Sequence, residues 1–271
     1  MTGTAFVFQG GGALSAPQVG MLRALIEAGI EPDLVVGSSA GALNAVAYAT
    51  DPTPAGLDRL ENLWLTLRRG TVARLSLPTL GRALIGRRDG IFDTRPLVNL
   101  LTSGFVSPLL EDAALPAHVI ATDLLTAEPV VLSHGDSVSA LLASAAFPGM
   151  YEPVSRDGMQ LIDGGVSADI PVLQAEALGA TLSYVLPAAV PDDVDAPPRG
   201  PLAMAYHALG QILDATARRD AAAARGEVRL LPAATSPASN PLDFRETRRL
   251  IDDGYRLAAE WLRQSTESLS A

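Results

Sequence analysis

The chain has 271 residues, 48% of them hydrophobic, which is enough to bury the core of one large α/β domain. Its formal net charge of −10 and isoelectric point near 4.7 argue against an electrostatic grip on nucleic acid or an anionic membrane, both of which need clustered cations. With no cysteine, disulfides, thiolate nucleophiles and Cys-ligated metals are excluded. A mean hydropathy of +0.23 leaves apolar contact with lipid open, yet no apolar run reaches the roughly 18 residues of a membrane span. The first residues show no basic region, long apolar stretch or cleavage site, so the expectation is a cytoplasmic protein with at most peripheral membrane contact.

In chain order, an apolar strand at residues 4–9 meets the turn Gly10-Gly11-Gly12, and a helix runs from about Ala16 to Ala28. Gly29 ends that helix, Pro32-Asp33 turns the chain, and Leu34-Val35-Val36 forms a buried strand. Gly37-Ser38-Ser39-Ala40-Gly41 then leads into an alanine-rich helix at 42–49. Residues 51 to about 105 read as helical cover, with amphipathic stretches at 57–67 and 94–101. Strands return at 118–121, 129–132, 161–162 and 182–186, with helices at 137–145 and 172–178. The pattern predicts a single domain with a core over about 4–187. An exposed connection rich in proline and aspartate follows at 187–201, then two helices within 202–268. Strands alternating with helices predict a mostly parallel sheet covered on both faces, with any site at the carboxyl ends of the strands.

Three segments carry chemistry. Gly37-Ser38-Ser39-Ala40-Gly41 fits G-x-S-x-G between a short apolar strand and a helix, where the sharp turn lifts the Ser39 hydroxyl above the sheet. Gly37 and Gly41 support that turn by being small. Gly10, Gly11 and Gly12 follow the first strand, and glycine lets backbone N–H groups converge as an oxyanion hole requires. The competing reading is a phosphate turn of a dinucleotide fold. That fold would want glycine at Ser15 and an acidic residue where Gly37-Ser38-Ser39 stands. Asp163, with Gly164 and Gly165, lies at a strand end 124 residues beyond Ser39 and offers a carboxylate to the nucleophile.

In this order and spacing, these segments resemble the patatin-like phospholipase family. Residues 121–124, 143–149 and 90–93 also resemble bacterial members, so the likeness spans roughly 4–187. It implies a three-layer α/β/α fold and a serine acyl hydrolase acting on carboxylic esters of lipids. In that reading Ser39 attacks, Asp163 takes its proton, Gly10 to Gly12 hold the oxyanion, and neither cofactor nor metal is needed. The chain departs from the family where an Arg or Lys and then Gly follow the glycine run: here stand Leu14 and Ser15. That departure predicts a preference for neutral esters over phospholipids. Two alternatives stay open: a weak or inactive lipid-binding module on the same fold, and a Ser-His-Asp hydrolase. For the latter only His207, among His118, His134 and His207, follows the acid in α/β-hydrolase order.

Overall fold

The computed structural model describes residues 3–75, 77–192, 200–237 and 240–270. Eight strands of the described residues form one sheet. They are β1 (Gly3–Phe8), β2 (Leu34–Ser38), β3 (Ala117–Asp123), β4 (Pro129–Leu132), β5 (Val154–Arg156), β6 (Met159–Asp163), β7 (Ala180–Leu186) and β8 (Glu227–Leu230). β8, β7, β1, β2 and β3 lie side by side and parallel, while β4, β5 and β6 add an antiparallel margin. All five residues of β2 and the last four of β1 are buried, the near-continuous apolar run expected of central strands covered on both faces.

Alternation along those strands builds two cores. Phe6, Phe8, Val35, Val119 and Tyr184 face α1 (Pro17–Glu27), α2 (Ala40–Thr50), α3 (Pro54–Thr66), α4 (Ser137–Ser144) and the long terminal α7 (Thr247–Ser270). Ala5, Val7, Val36, Ile120 and Val185 face the opposite way, toward α5 (Val172–Ala177) and α6 (Pro201–Ala223). The result is the expected three-layer α/β/α arrangement with a mostly parallel sheet.

The C-terminal third differs from the sequence expectation. The sheet does not close near residue 187, because β8 pairs with β7 through Glu227↔Leu182 to Leu230↔Val185. Nor is the start of the 187–201 connection exposed: Ala188 and Ala189 are buried, and Val190–Pro191 pairs with Thr235–Ser236. Residues 193–199 lie outside the described residues. The 51–105 segment is helical as expected, apart from a small antiparallel pair, Arg74–Leu75 with Phe92–Asp93.

Register at β3 positions the site. β4 and β6 both pair with Ala121 and Thr122, so they must occupy opposite edges of β3. β6 therefore continues the edge that β2 occupies lower down, where Ser38 faces Ile120. Asp163 faces Ala121, one residue further along. The carboxyl end of β2 and the carboxyl end of β6 thus meet head to head, and Ser39 and Asp163 meet with them.

Candidate active site

Ser39 sits between β2 and α2 with φ 52° and ψ −126°, a conformation that costs a non-glycine residue on the order of 1–3 kcal/mol. The flanking glycines make the turn possible. A Cβ on Gly37 would lie 2.5 Å from the Gly41 carbonyl oxygen, and one on Gly41 would lie 2.5 Å from the carbonyl oxygens of both Phe8 and Gln9. The elbow therefore presses the start of α2 against the end of β1, which leaves Ser39 at the positive end of the helix dipole.

The Ser39 hydroxyl donates to Asp163 Oδ2 at 2.7 Å. Asp163 is 3% exposed, and its other oxygen accepts the Gly165 N–H at 2.8 Å. Burial lifts its pKa to about 6, against the pull of the Ser39 and Gly165 hydrogen bonds. Gly164 is required by space: a Cβ there would lie 2.1 Å from the Ile120 carbonyl oxygen.

The glycine loop lies beside this pair, since a Cβ on Gly10 would fall 3.4 Å from Ser39 Cβ. Its three amides differ. Gly10 N–H is committed to the Asp169 carbonyl at 3.2 Å, which removes it from the expected oxyanion donors. Gly11 and Gly12 N–H make no hydrogen bond among the described residues. The loop is clamped from the C-terminal third: Ala13 N–H donates to the Pro241 carbonyl at 2.7 Å, and Ala189 N–H to the Leu14 carbonyl at 2.8 Å. Gly12 has φ 59°, and a Cβ there would lie 2.4 Å from the Pro241 carbonyl oxygen. Ser15, where the family has glycine, is fully buried.

Several residues at the site went unread in the sequence. Ser144 Oγ accepts the Ser39 N–H at 2.8 Å, while its carbonyl accepts Gly164 N–H. Asp169 accepts from Gln9 Nε2 at 2.8 Å, and Gln9 Oε1 accepts Ala188 N–H at 2.9 Å. Burial, and then the Asp163 and Asp214 charges, push Asp169 up to about 7 against the Gln9 bond. Ala40 N–H, the first amide of α2, joins Gly11 and Gly12 as an amide with no bond among the described residues. Ser144 falls inside the 143–149 likeness, the one signal that pointed to it; Gln9 and Asp169 carried none.

His118 and His134 bond to other groups. His118 Nδ1 shares a hydrogen bond with Ser133 Oγ at 2.7 Å, and burial lowers its pKa. His134 is exposed, its carbonyl bound by Arg156. His207 lies in α6, with its side chain outside the described residues. Asp123 caps a turn, accepting the Leu125 and Thr126 N–H groups at 2.8 and 2.9 Å. Among the described residues no cluster of His, Asp and Glu has the form of a metal site, and no helix is long and apolar enough to cross a membrane.

A serine raised on a strand-to-helix elbow over a largely parallel sheet, facing a carboxylate and a glycine loop, defines an α/β protein with the G-x-S-x-G turn at the carboxyl end of its second strand. Residues 6–176 match the patatin-like phospholipase family, and the chain belongs to it. An uncharacterized NTE family protein of Mycobacterium tuberculosis is 30% identical over 177 residues, covering 65% of this chain and 46% of that protein. The lysophospholipase nte1 of Aspergillus terreus is 29% identical over 198 residues, 69% of this chain and 12% of its own length. The chain thus spans less than half the length of these curated relatives. VipD from Legionella pneumophila shares the fold with a TM-score of 0.50 at 15% identity, over 97% of this chain and 67% of VipD.

Proposed function

We propose that the chain is a serine acyl hydrolase that cleaves carboxylic esters of lipids through a Ser39–Asp163 dyad. The observation that carries this reading is the 2.7 Å hydrogen bond from a strained Ser39 to a buried carboxylate. A lipid-binding module without catalysis has no need of a serine held at φ 52°, whereas a nucleophile does. The family, and the activity named for the Aspergillus terreus relative, support a lipid ester as substrate.

In the proposed cycle, Ser39 Oγ attacks the ester carbonyl carbon as its proton passes to Asp163. The oxyanion forms at the N terminus of α2, facing the Gly11, Gly12 and Ala40 amides. Collapse expels the alcohol, which takes the proton from Asp163 and leaves an acyl-Ser39. Water then gives a proton to Asp163 and attacks the acyl carbon, and Ser39 leaves with that proton. Burial suits Asp163 to this work, because a pKa of about 6 makes it a better base than an exposed aspartate.

The test is hydrolysis of a panel of p-nitrophenyl esters and phospholipids beside Ser39→Ala and Asp163→Asn. Each variant is expected to lose on the order of 1,000-fold or more in kcat/KM. Turnover that survives either substitution removes the dyad.

A further inference from the structure

Charge is segregated in this acidic chain. Residues 62–88 hold six arginines, Arg68, Arg69, Arg74, Arg82, Arg87 and Arg88, and no aspartate or glutamate, although the whole chain carries −10. Arg88 pairs with Glu152, and Arg68 donates to the Leu65 and Leu67 carbonyls. Arg69, Arg74, Arg82 and Arg87 are exposed and make no ion pair or side-chain hydrogen bond among the described residues. Outside this segment most arginines meet a carboxylate, as Arg23, Arg95, Arg229, Arg245 and Arg249 do, while Arg219, Arg225 and Arg263 make no ion pair among the described residues.

Two large apolar residues are exposed within the same segment, Leu75 at 50% and Ile85 at 64%, one on each side of the helix Leu77–Leu84. Cations interleaved with exposed aliphatic groups suit a lipid surface, where arginine meets phosphate and leucine or isoleucine enters the acyl boundary. They suit nucleic acid poorly. The one aromatic residue in 62–88 is Trp64, which is 1% exposed and donates to Asn44 Oδ1, so no ring is free to stack on a base.

The segment is fastened beside the candidate site. Tyr151 donates its hydroxyl to the Val72 carbonyl at 2.6 Å, and the Ile91 and Phe92 N–H groups donate to the Gly149 and Met150 carbonyls. That loop begins directly after Ala146, whose carbonyl accepts the Asp163 N–H. A surface held by 68–88 is therefore held next to the Ser39 elbow.

We infer that residues 68–88 dock the protein onto an anionic phospholipid surface, with Arg69, Arg74, Arg82 and Arg87 against lipid phosphates and Leu75 and Ile85 entering the interface. The acidic remainder of the molecule is repelled by the same surface, so docking also sets orientation, with the arginine face toward the lipid. Such docking is independent of ester hydrolysis and is read by binding alone.

The experiment is co-sedimentation of the Ser39→Ala protein with vesicles of phosphatidylcholine alone and of phosphatidylcholine mixed with phosphatidylglycerol. Binding is expected to the mixed vesicles only and to weaken as salt is raised. Combining Arg69→Gln, Arg74→Gln, Arg82→Gln and Arg87→Gln should lower it roughly 600-fold, since each cation near such a surface contributes about fivefold. Leu75→Ser with Ile85→Ser should cause a smaller loss that persists at high salt. Each substituted position is exposed, so the thermal midpoint should stay unchanged, as should hydrolysis of a soluble short-chain ester by the fourfold variant carrying Ser39. Equal binding by that variant, indifference to lipid charge, no binding at all, or tighter capture by a single-stranded RNA probe than by the vesicles would each overturn the inference.

Discussion

At the residue scale, two carboxylates beside Ser39 differ: Asp163 is buried and Asp169 half-buried. In the proposed cycle Asp163 works as its carboxylate, and burial holds its pKa at about 6, so kcat/KM should fall as pH drops through 6 and level off above it. A profile flat from roughly pH 4 to 8 would contradict the assignment. Asp169 is likewise raised, to about 7, mainly by burial, and its carboxyl receives the Gln9 amide. Neutral Asn can do that. Asp169→Asn should therefore keep kcat/KM within a few-fold, whereas Asp169→Leu leaves Gln9 Nε2 unpaired beside Gly10 and should lose roughly tenfold. Ser39 was legible in the sequence because its turn is written locally, in small residues between an apolar strand and a helix. Asp163 was legible mainly through the family likeness, since Asp-Gly is common in turns. Ser144, Asp169 and Gln9 were not, because only tertiary contact brings them to the nucleophile.

At the scale of elements, α1 and α7 approach through reciprocal glycines. A Cβ on Gly20 would lie 2.0 Å from the Ile251 carbonyl oxygen, and one on Gly254 would lie 2.2 Å from that of Pro17. Gly20→Ala or Gly254→Ala should cost roughly 1–3 kcal/mol, read as a lower urea midpoint. Gly210, in α6 with no atom within 4 Å of its would-be Cβ, is the contrast, and Gly210→Ala should stabilise by about 0.4–1 kcal/mol. Beneath the glycine loop a buried polar chain joins four elements. Trp64 donates to Asn44, Asn44 to Gln18, and Gln18 to the carbonyls of Gln9 and Leu186. Elements with strong apolar patterns, such as β1, β2 and α2, were legible. β8 was not, since only four residues long and half polar, it gains strand character by pairing with β7. The clamps from Ala189 and Pro241 onto the glycine loop were hidden for the same reason: the residues that make them do so through backbone groups, which carry no sequence signature.

At the scale of the whole molecule, a net charge of −10 described the average and concealed the arginine segment at 68–88. The three-layer fold followed from alternating strands and helices, and the head-to-head meeting of β2 and β6 on one edge of β3 explains how residues 124 apart form one site. In the proposed cycle Asp163 alone activates Ser39. The most direct measurement is labelling by a fluorophosphonate probe, with the modified residue mapped by mass spectrometry in the native protein, Asp163→Asn and His207→Ala. Modification of Ser39 is expected in the native protein and in His207→Ala, with loss in Asp163→Asn. Labelling that survives in Asp163→Asn, or that vanishes in His207→Ala, would contradict it.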